Sequence, residues 1–157
     1  MKPNLSLPLF ILFCLILSSC LGVFKSIIKE DGKQIPIGFG KENVTILAIK
    51  HKRNYNKYLE KNFTSSYSGK YIFVTEEEAK TNYPDVNEYR YTFDEQMNYN
   101  TSFNAQGKPL TLAAGTFILH DRKTGQQYSL KLESGLWSKL MRMYLEKLEE
   151  TRQKNSR

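Results

Sequence analysis

After position 20 the sequence contains no cysteine. Its only two, Cys14 and Cys20, lie in the first twenty residues. Everything downstream folds without a disulfide, a thiolate metal site or a cysteine nucleophile, and its core is stabilised by packing alone. Histidine is scarce as well: His51 and His120 have no metal-ligand spacing and are expected to be polar residues at strand ends. No phosphate loop, G-x-S-x-G elbow, HExxH or glycine-rich dinucleotide fingerprint occurs, and the only GxG, Gly38-Phe39-Gly40, precedes a predicted strand instead of following one. The carboxylates come as Glu76-Glu77-Glu78, Asp94-Glu95 and Glu149-Glu150. Adjacency does not make a catalytic pair, and His120 and Asp121, neighbours in a strand, point to opposite faces. The sequence therefore predicts no enzyme, no cofactor and no metal.

What is present begins at the N-terminus. Lys2 precedes a thirteen-residue apolar run, residues 5–17, followed by Ser18, Ser19 and Cys20. Thirteen helical residues rise about 20 Å, short of the roughly 30 Å hydrocarbon core, so the run is signal-like in length. Leu17-Ser18-Ser19-Cys20 resembles the lipobox of bacterial lipoproteins, in which the thiol is modified and the chain is cut just before the cysteine. The resemblance covers the first twenty residues only. It implies cleavage between Ser19 and Cys20, a thioether lipid on Cys20 and an acyl chain such as palmitate on its new amino group, an anchorage that needs no protein span. Two other readings of these residues stand beside it: cleavage after Cys20 by an ordinary signal peptidase, and an uncleaved anchor over residues 5–24. In enterobacterial lipoproteins an aspartate after the cysteine favours the inner membrane. Leu21 in its place implies, by that analogy, the outer membrane and its periplasmic face.

The remaining composition is that of one globular domain. The chain has 157 residues, 40% hydrophobic and 13% aromatic, which leaves no room for two full cores. The expected organisation is a signal peptide over residues 1–19, a lipidated tether over 20–42, a single domain over 43–152 and a basic tail over 153–157. Four glycines and Pro36 break regular structure in the tether, whose apolar residues are available to dock on the body. The net charge is +7 and becomes +6 without Lys2. The densest basic cluster, Lys50-His51-Lys52-Arg53, reads as a solvated face, and a secreted address removes nucleic acid from the expected partners. Three glycosylation sequons, at Asn43, Asn62 and Asn100, are chance matches if the chain is bacterial.

Hydrophobic periodicity then places the elements. Residues 44–50 are apolar on both alternating faces, as in a strand covered on two sides, and so are placed centrally in the sheet. Leu59, Phe63 and Tyr67 recur every four residues and predict a helix over 56–67, with Asn56 as N-cap and Gly69 as stop. A strand over 70–75 and a short helical turn over 76–80 follow. Tyr89, Tyr91 and Phe93 alternate with Glu88, Arg90, Thr92 and Asp94, predicting a strand with one packed and one wet face. Residues 98–110 carry four Asn or Gln residues, Gly107 and Pro109, and read as a loop, the place where disorder is most expected. Strands over 115–120 and 127–132 flank Asp121 and Gly125 as a hairpin. A final helix over 136–152 presents Leu136, Trp137, Leu140, Met141, Tyr144 and Leu148 as a core stripe. The predicted fold is α+β: a mostly antiparallel sheet of four to five strands packed with two main helices, in the order β-α-β-β-β-β-α.

For function, the sequence points to a lipid-anchored envelope protein whose role is interaction or assembly, with membrane contact through Cys20 and an envelope protein as partner. The element order is similar to that of small lipoproteins that plug or brace outer-membrane assembly machines, a likeness of topology that carries no residue over. Tyr89, Tyr91 and Phe93 are the candidate partner surface if exposed, with core packing as their preferred role. The alternative reading is a periplasmic ligand-binding or toxin-immunity lipoprotein.

Overall fold

Residues 27–157 are described by a computed structural model of the chain. Ser19 and Cys20 lie outside the described residues. The elements run β1 (Ile46–Ile49), α1 (Arg53–Ser66), β2 (Tyr71–Val74), α2 (Glu76–Thr81), β3 (Tyr91–Phe103), β4 (Pro109–Asp121), β5 (Gln127–Ser129) and α3 (Trp137–Asn155). This is an α+β architecture on one mixed sheet, ordered β2-β1-β3-β4-β5. β1 pairs in parallel with β2 over four residues and with β3 over three, whereas β3 and β4 pair antiparallel over thirteen. Most of the paired backbone is therefore antiparallel. β1 is fully buried with a neighbour on each side, as its two apolar faces require.

Among the described residues, two helices cover one face and one short helix covers part of the other. Ile46, Ala48, Tyr91, Phe93, Phe117 and Leu119 project from the sheet against α1 and α3, which contribute Leu59, Phe63, Leu140, Met141, Tyr144 and Leu148. On the opposite face a smaller cluster of Leu47, Ile49 and Val74 meets Ala79 of α2, with Tyr83 and Tyr89 packed against it. α2 is capped reciprocally by Thr75 and Glu78, which explains why six residues hold a helix here. Arg122 fastens it from the β4–β5 turn by donating to the carbonyls of Ala79 and Tyr89 at 3.1 and 2.8 Å.

Several predicted boundaries move. α1 begins at Arg53, before Asn56, and the Asn56 side chain accepts from the His51 N–H at 2.8 Å from inside the helix instead of capping it. Gly69 does not end α1 through a left-handed turn; its role is space, because a Cβ there would lie 2.6 Å from the Tyr67 ring. The packed body also starts before residue 43: Ile28, Ile35 and Phe39 are buried in the main cluster. Tyr144, fully buried on α3, secures that segment by donating to the Gln34 carbonyl at 2.6 Å.

The largest departure is at residues 98–110, where the expected loop is replaced by a β-ribbon. β3 and β4 stay paired without interruption from Tyr91–Asp121 to Phe103–Pro109, and only residues 104–108 turn. Asn104 closes that turn: its side chain accepts the N–H groups of Gln106 and Lys108, and its backbone pairs with Gly107 and Lys108. The polar residues that read as loop are ladder residues of an exposed ribbon.

Candidate functional site

The ribbon is the first half of the site. A bridge between Gly115 and Ser134 marks the point where β4 leaves the body. Six residue pairs, from Asn98–Ala114 to Phe103–Pro109, extend beyond it and form an arm of about 20 Å. All residues from 99 to 111 are exposed, including Tyr99 at 63%, Phe103 at 72% and Leu110 at 49%. Between Met97 and Gly115 the only charged residue is Lys108. Tyr99, Thr101 and Phe103 share the face that carries Tyr91 and Phe93 further back along β3. That face runs from the core outward past the end of the helical layer.

The base of the arm is tightly built. A Cβ on Gly115 would meet Met97 Sδ at 2.9 Å and Trp137 Cβ at 3.4 Å, so the glycine admits both side chains. Asn98 donates to Glu133 at 2.6 Å, tying β3 to the segment that leads into α3.

The second half is a groove of about 640 Å³ between α1 and the N-terminal end of α3. Its apolar surface comes from Tyr58, Leu136 and Trp137, and its rim carries Lys61, Lys139 and Arg142 with no carboxylate. Trp137 is half-buried, edge-on to Tyr58 at 5.2 Å and stacked on Tyr55 at 5.9 Å. Leu136, assigned to the core stripe by its spacing, is 70% exposed because it is the N-cap residue and lies just outside the helix. Asn62 joins the two walls, donating to the Ser138 carbonyl at 3.0 Å.

The sequence-predicted residues fall elsewhere. Tyr91 and Phe93 are 4% and 0% exposed and serve the core, and Tyr89 is half-buried in the smaller cluster. The exposure on which their partner role depended is thus absent for Tyr91 and Phe93, and the exposed aromatics of β3 are Tyr99 and Phe103 instead. The histidines are less separate than their spacing implies. His51 bonds Asp94 at 2.5 Å, and Asp94 and His120 line one cleft of about 340 Å³ with Thr92, Glu76 and Lys80. No hydrogen bond among the described residues joins His120 to His51 or Asp94, and none of the described His, Asp and Glu residues form a group of three that could hold a metal.

Charge is handled differently at the two ends of the hairpin. Where β4 ends in the body, Asp121 is fully buried and receives a forked pair of bonds from Arg90. Burial pushes its carboxyl up, but Arg90 and the Lys123 N–H outweigh that and hold it below the ordinary carboxylate range. At the arm base, burial pushes the Glu95 carboxyl up, with His51 pulling it partly back. The neighbouring Tyr55 hydroxyl is buried without a hydrogen-bond partner among the described residues.

No protein-family model matches the chain, and neither a curated protein nor a solved structure is significantly similar to it.

Proposed function

We infer that the chain is a lipid-anchored bacterial envelope protein that acts as a non-enzymatic interaction or assembly subunit at the periplasmic face of the outer membrane. Its arm is the docking element. The observation that carries this reading is the arm itself: thirteen consecutive exposed residues, 99–111, with one charge, in a chain of which 25% is charged. Exposed aromatic side chains on a projecting, nearly uncharged ribbon supply large contact area at low desolvation cost. Partner contact is the use that such a surface fits.

The placement of the ends supports the same reading. Ile28, the first buried residue among those described, packs beside Thr151 and Lys154 at the C-terminal end of α3. The arm base packs on Trp137 at the opposite end of that 19-residue helix, about 28 Å away. Cys20 precedes Ile27 by seven residues, a span of at most about 25 Å. A lipid on Cys20 therefore keeps the α3 C-terminal end within about 25 Å of the bilayer and leaves the arm free to face the aqueous side. Cys20→Ala tests the anchor. Metabolic lipid labelling and membrane association are lost if the reading holds; their persistence unchanged refutes it.

A further inference from the structure

The arm supplies apolar contact and almost no charge, whereas the groove at its base supplies both. Lys61 projects from α1, and Lys139 and Arg142 from α3, around a surface made by Tyr58, Trp137 and the exposed Leu136. Lys61, Lys139 and Arg142 are all exposed. Arg142 has Glu146 one turn further along α3 at 3.7 Å, outside the groove lining. Glu133, the carboxylate on the segment leading into α3, is engaged by Asn98. The first turn of α3 adds no acidic residue and its N-cap makes no side-chain bond, so no carboxylate within the groove lining offsets the cations, and Glu146 meets Arg142 from outside it.

Trp137 belongs to both features, lining the groove and packing against Gly115 at the arm base. A partner laid along the arm therefore reaches the groove without leaving the surface. We propose that the groove receives an acidic segment of the protein partner that the arm engages. One apolar side chain of that segment seats on Leu136, Trp137 and Tyr58, and its carboxylates lie over Lys61, Lys139 and Arg142. This inference rests on the reading of the arm as a docking element and adds the chemistry of what docks. Charge complementarity at such a rim selects the partner and speeds its encounter, while the buried apolar contact holds it. A free inorganic anion would use the rim and leave the apolar surface uncovered. The groove also lies at the end of α3 away from Ile28, which favours a protein segment over the bilayer to which the chain is tethered.

The test places a photo-reactive benzophenone side chain at Leu136, and separately at Phe103, in the full chain in its native envelope. The adducts are then sequenced by mass spectrometry. Leu136 is expected to attach to a protein segment in which Asp or Glu flanks an apolar residue. Lys61→Glu with Lys139→Glu is expected to lower that yield by about tenfold or more, because like charges then face each other across the rim. The Phe103 adduct falls much less. Lys61→Gln with Lys139→Gln gives an intermediate loss and guards against a folding defect, which thermal unfolding of both variants would reveal. The inference is overturned, with the arm reading intact, if Phe103 forms a protein adduct while Leu136 forms none, attaches to lipid or to an acid-free segment, or keeps its yield after charge reversal. Absence of adducts at both positions overturns both readings.

Discussion

Along β3, Tyr91 and Phe93 are buried, while Tyr99 and Phe103, on the same face of the same strand, are exposed. Residue type is shared between the two pairs; what differs is the layer above them. Over the inner half, α1 and α3 bring Phe63 and Tyr144 within ring contact of Phe93 at 5.2 and 5.9 Å. Over the outer half no helix of the described residues is packed, because α3 starts at Trp137, level with Gly115. The same alternation thus builds a core where it is roofed and an exposed apolar surface where it is not. Polar residues follow the division. In the body they are fastened, as in the Arg90–Asp121 pair and the Glu149 cluster with Ser68, Arg152 and Gln153. In the arm they are exposed: Asn100 and Ser102 alternate with the aromatics on the other face of the ribbon.

Three substitutions sharpen the contrast. Phe93→Ala removes a fully buried ring that touches Phe63, Phe117 and Tyr144. It is expected to cost about 3–5 kcal/mol in denaturant unfolding. A loss no larger than that of an exposed residue would show that the inner half is not the core.

Glu149→Gln tests the fastening of the body. Burial raises the Glu149 carboxyl, but Arg152, Ser68 and Gln153 together hold it down to about 2 against an ordinary 4.5. A depressed folded value means that the stabilisation is complete above the unfolded value and is lost as the pH falls through the folded one. The variant is expected to lose about 2 kcal/mol at neutral pH, from charge-assisted bonds. The difference should shrink below about pH 4.5 and vanish near about pH 2, which paired unfolding curves across that range would show.

Glu95→Gln has the opposite sign and the smallest effect. Its folded value is raised, so its contribution is present below the ordinary value and lost as the pH rises. The variant is expected to be more stable than the parent at neutral pH by up to about 0.5 kcal/mol, and equal to it at about pH 3. A destabilised variant at neutral pH would mean that the Glu95 carboxylate has a stabilising partner.

Most of the body was legible because its elements are amphipathic or doubly apolar. The apolar run at β1, the four-residue spacing in α1 and α3, and the Asp121–Gly125 turn each determine one structure with little help from elsewhere. The arm was not, although its alternation is in the sequence: Tyr99, Thr101 and Phe103 repeat with period two. Asn, Gln, Gly107 and Pro109 masked that signal, since turn residues and exposed ladder residues share a composition. The aromatic alternation at Tyr89, Tyr91 and Phe93 was visible, but whether a helix covers it is a tertiary fact. The groove was less legible still. Lys61 and Arg142 are 81 positions apart, and only the packing of α1 on α3 brings them to one rim. Leu136 fitted the helical stripe, and its exposure depends on where α3 begins.

The measurement that bears most directly on the contrast is the yield of the crosslinked envelope complex from Tyr99→Ala with Phe103→Ala in the full chain, set beside its unfolding midpoint. With the arm as the proposed docking element and its side chains outside the core, the complex is expected to disappear while stability stays within about 0.5 kcal/mol of the parent. A complex that persists at parental yield, or a midpoint that falls as far as that of Phe93→Ala, would contradict it.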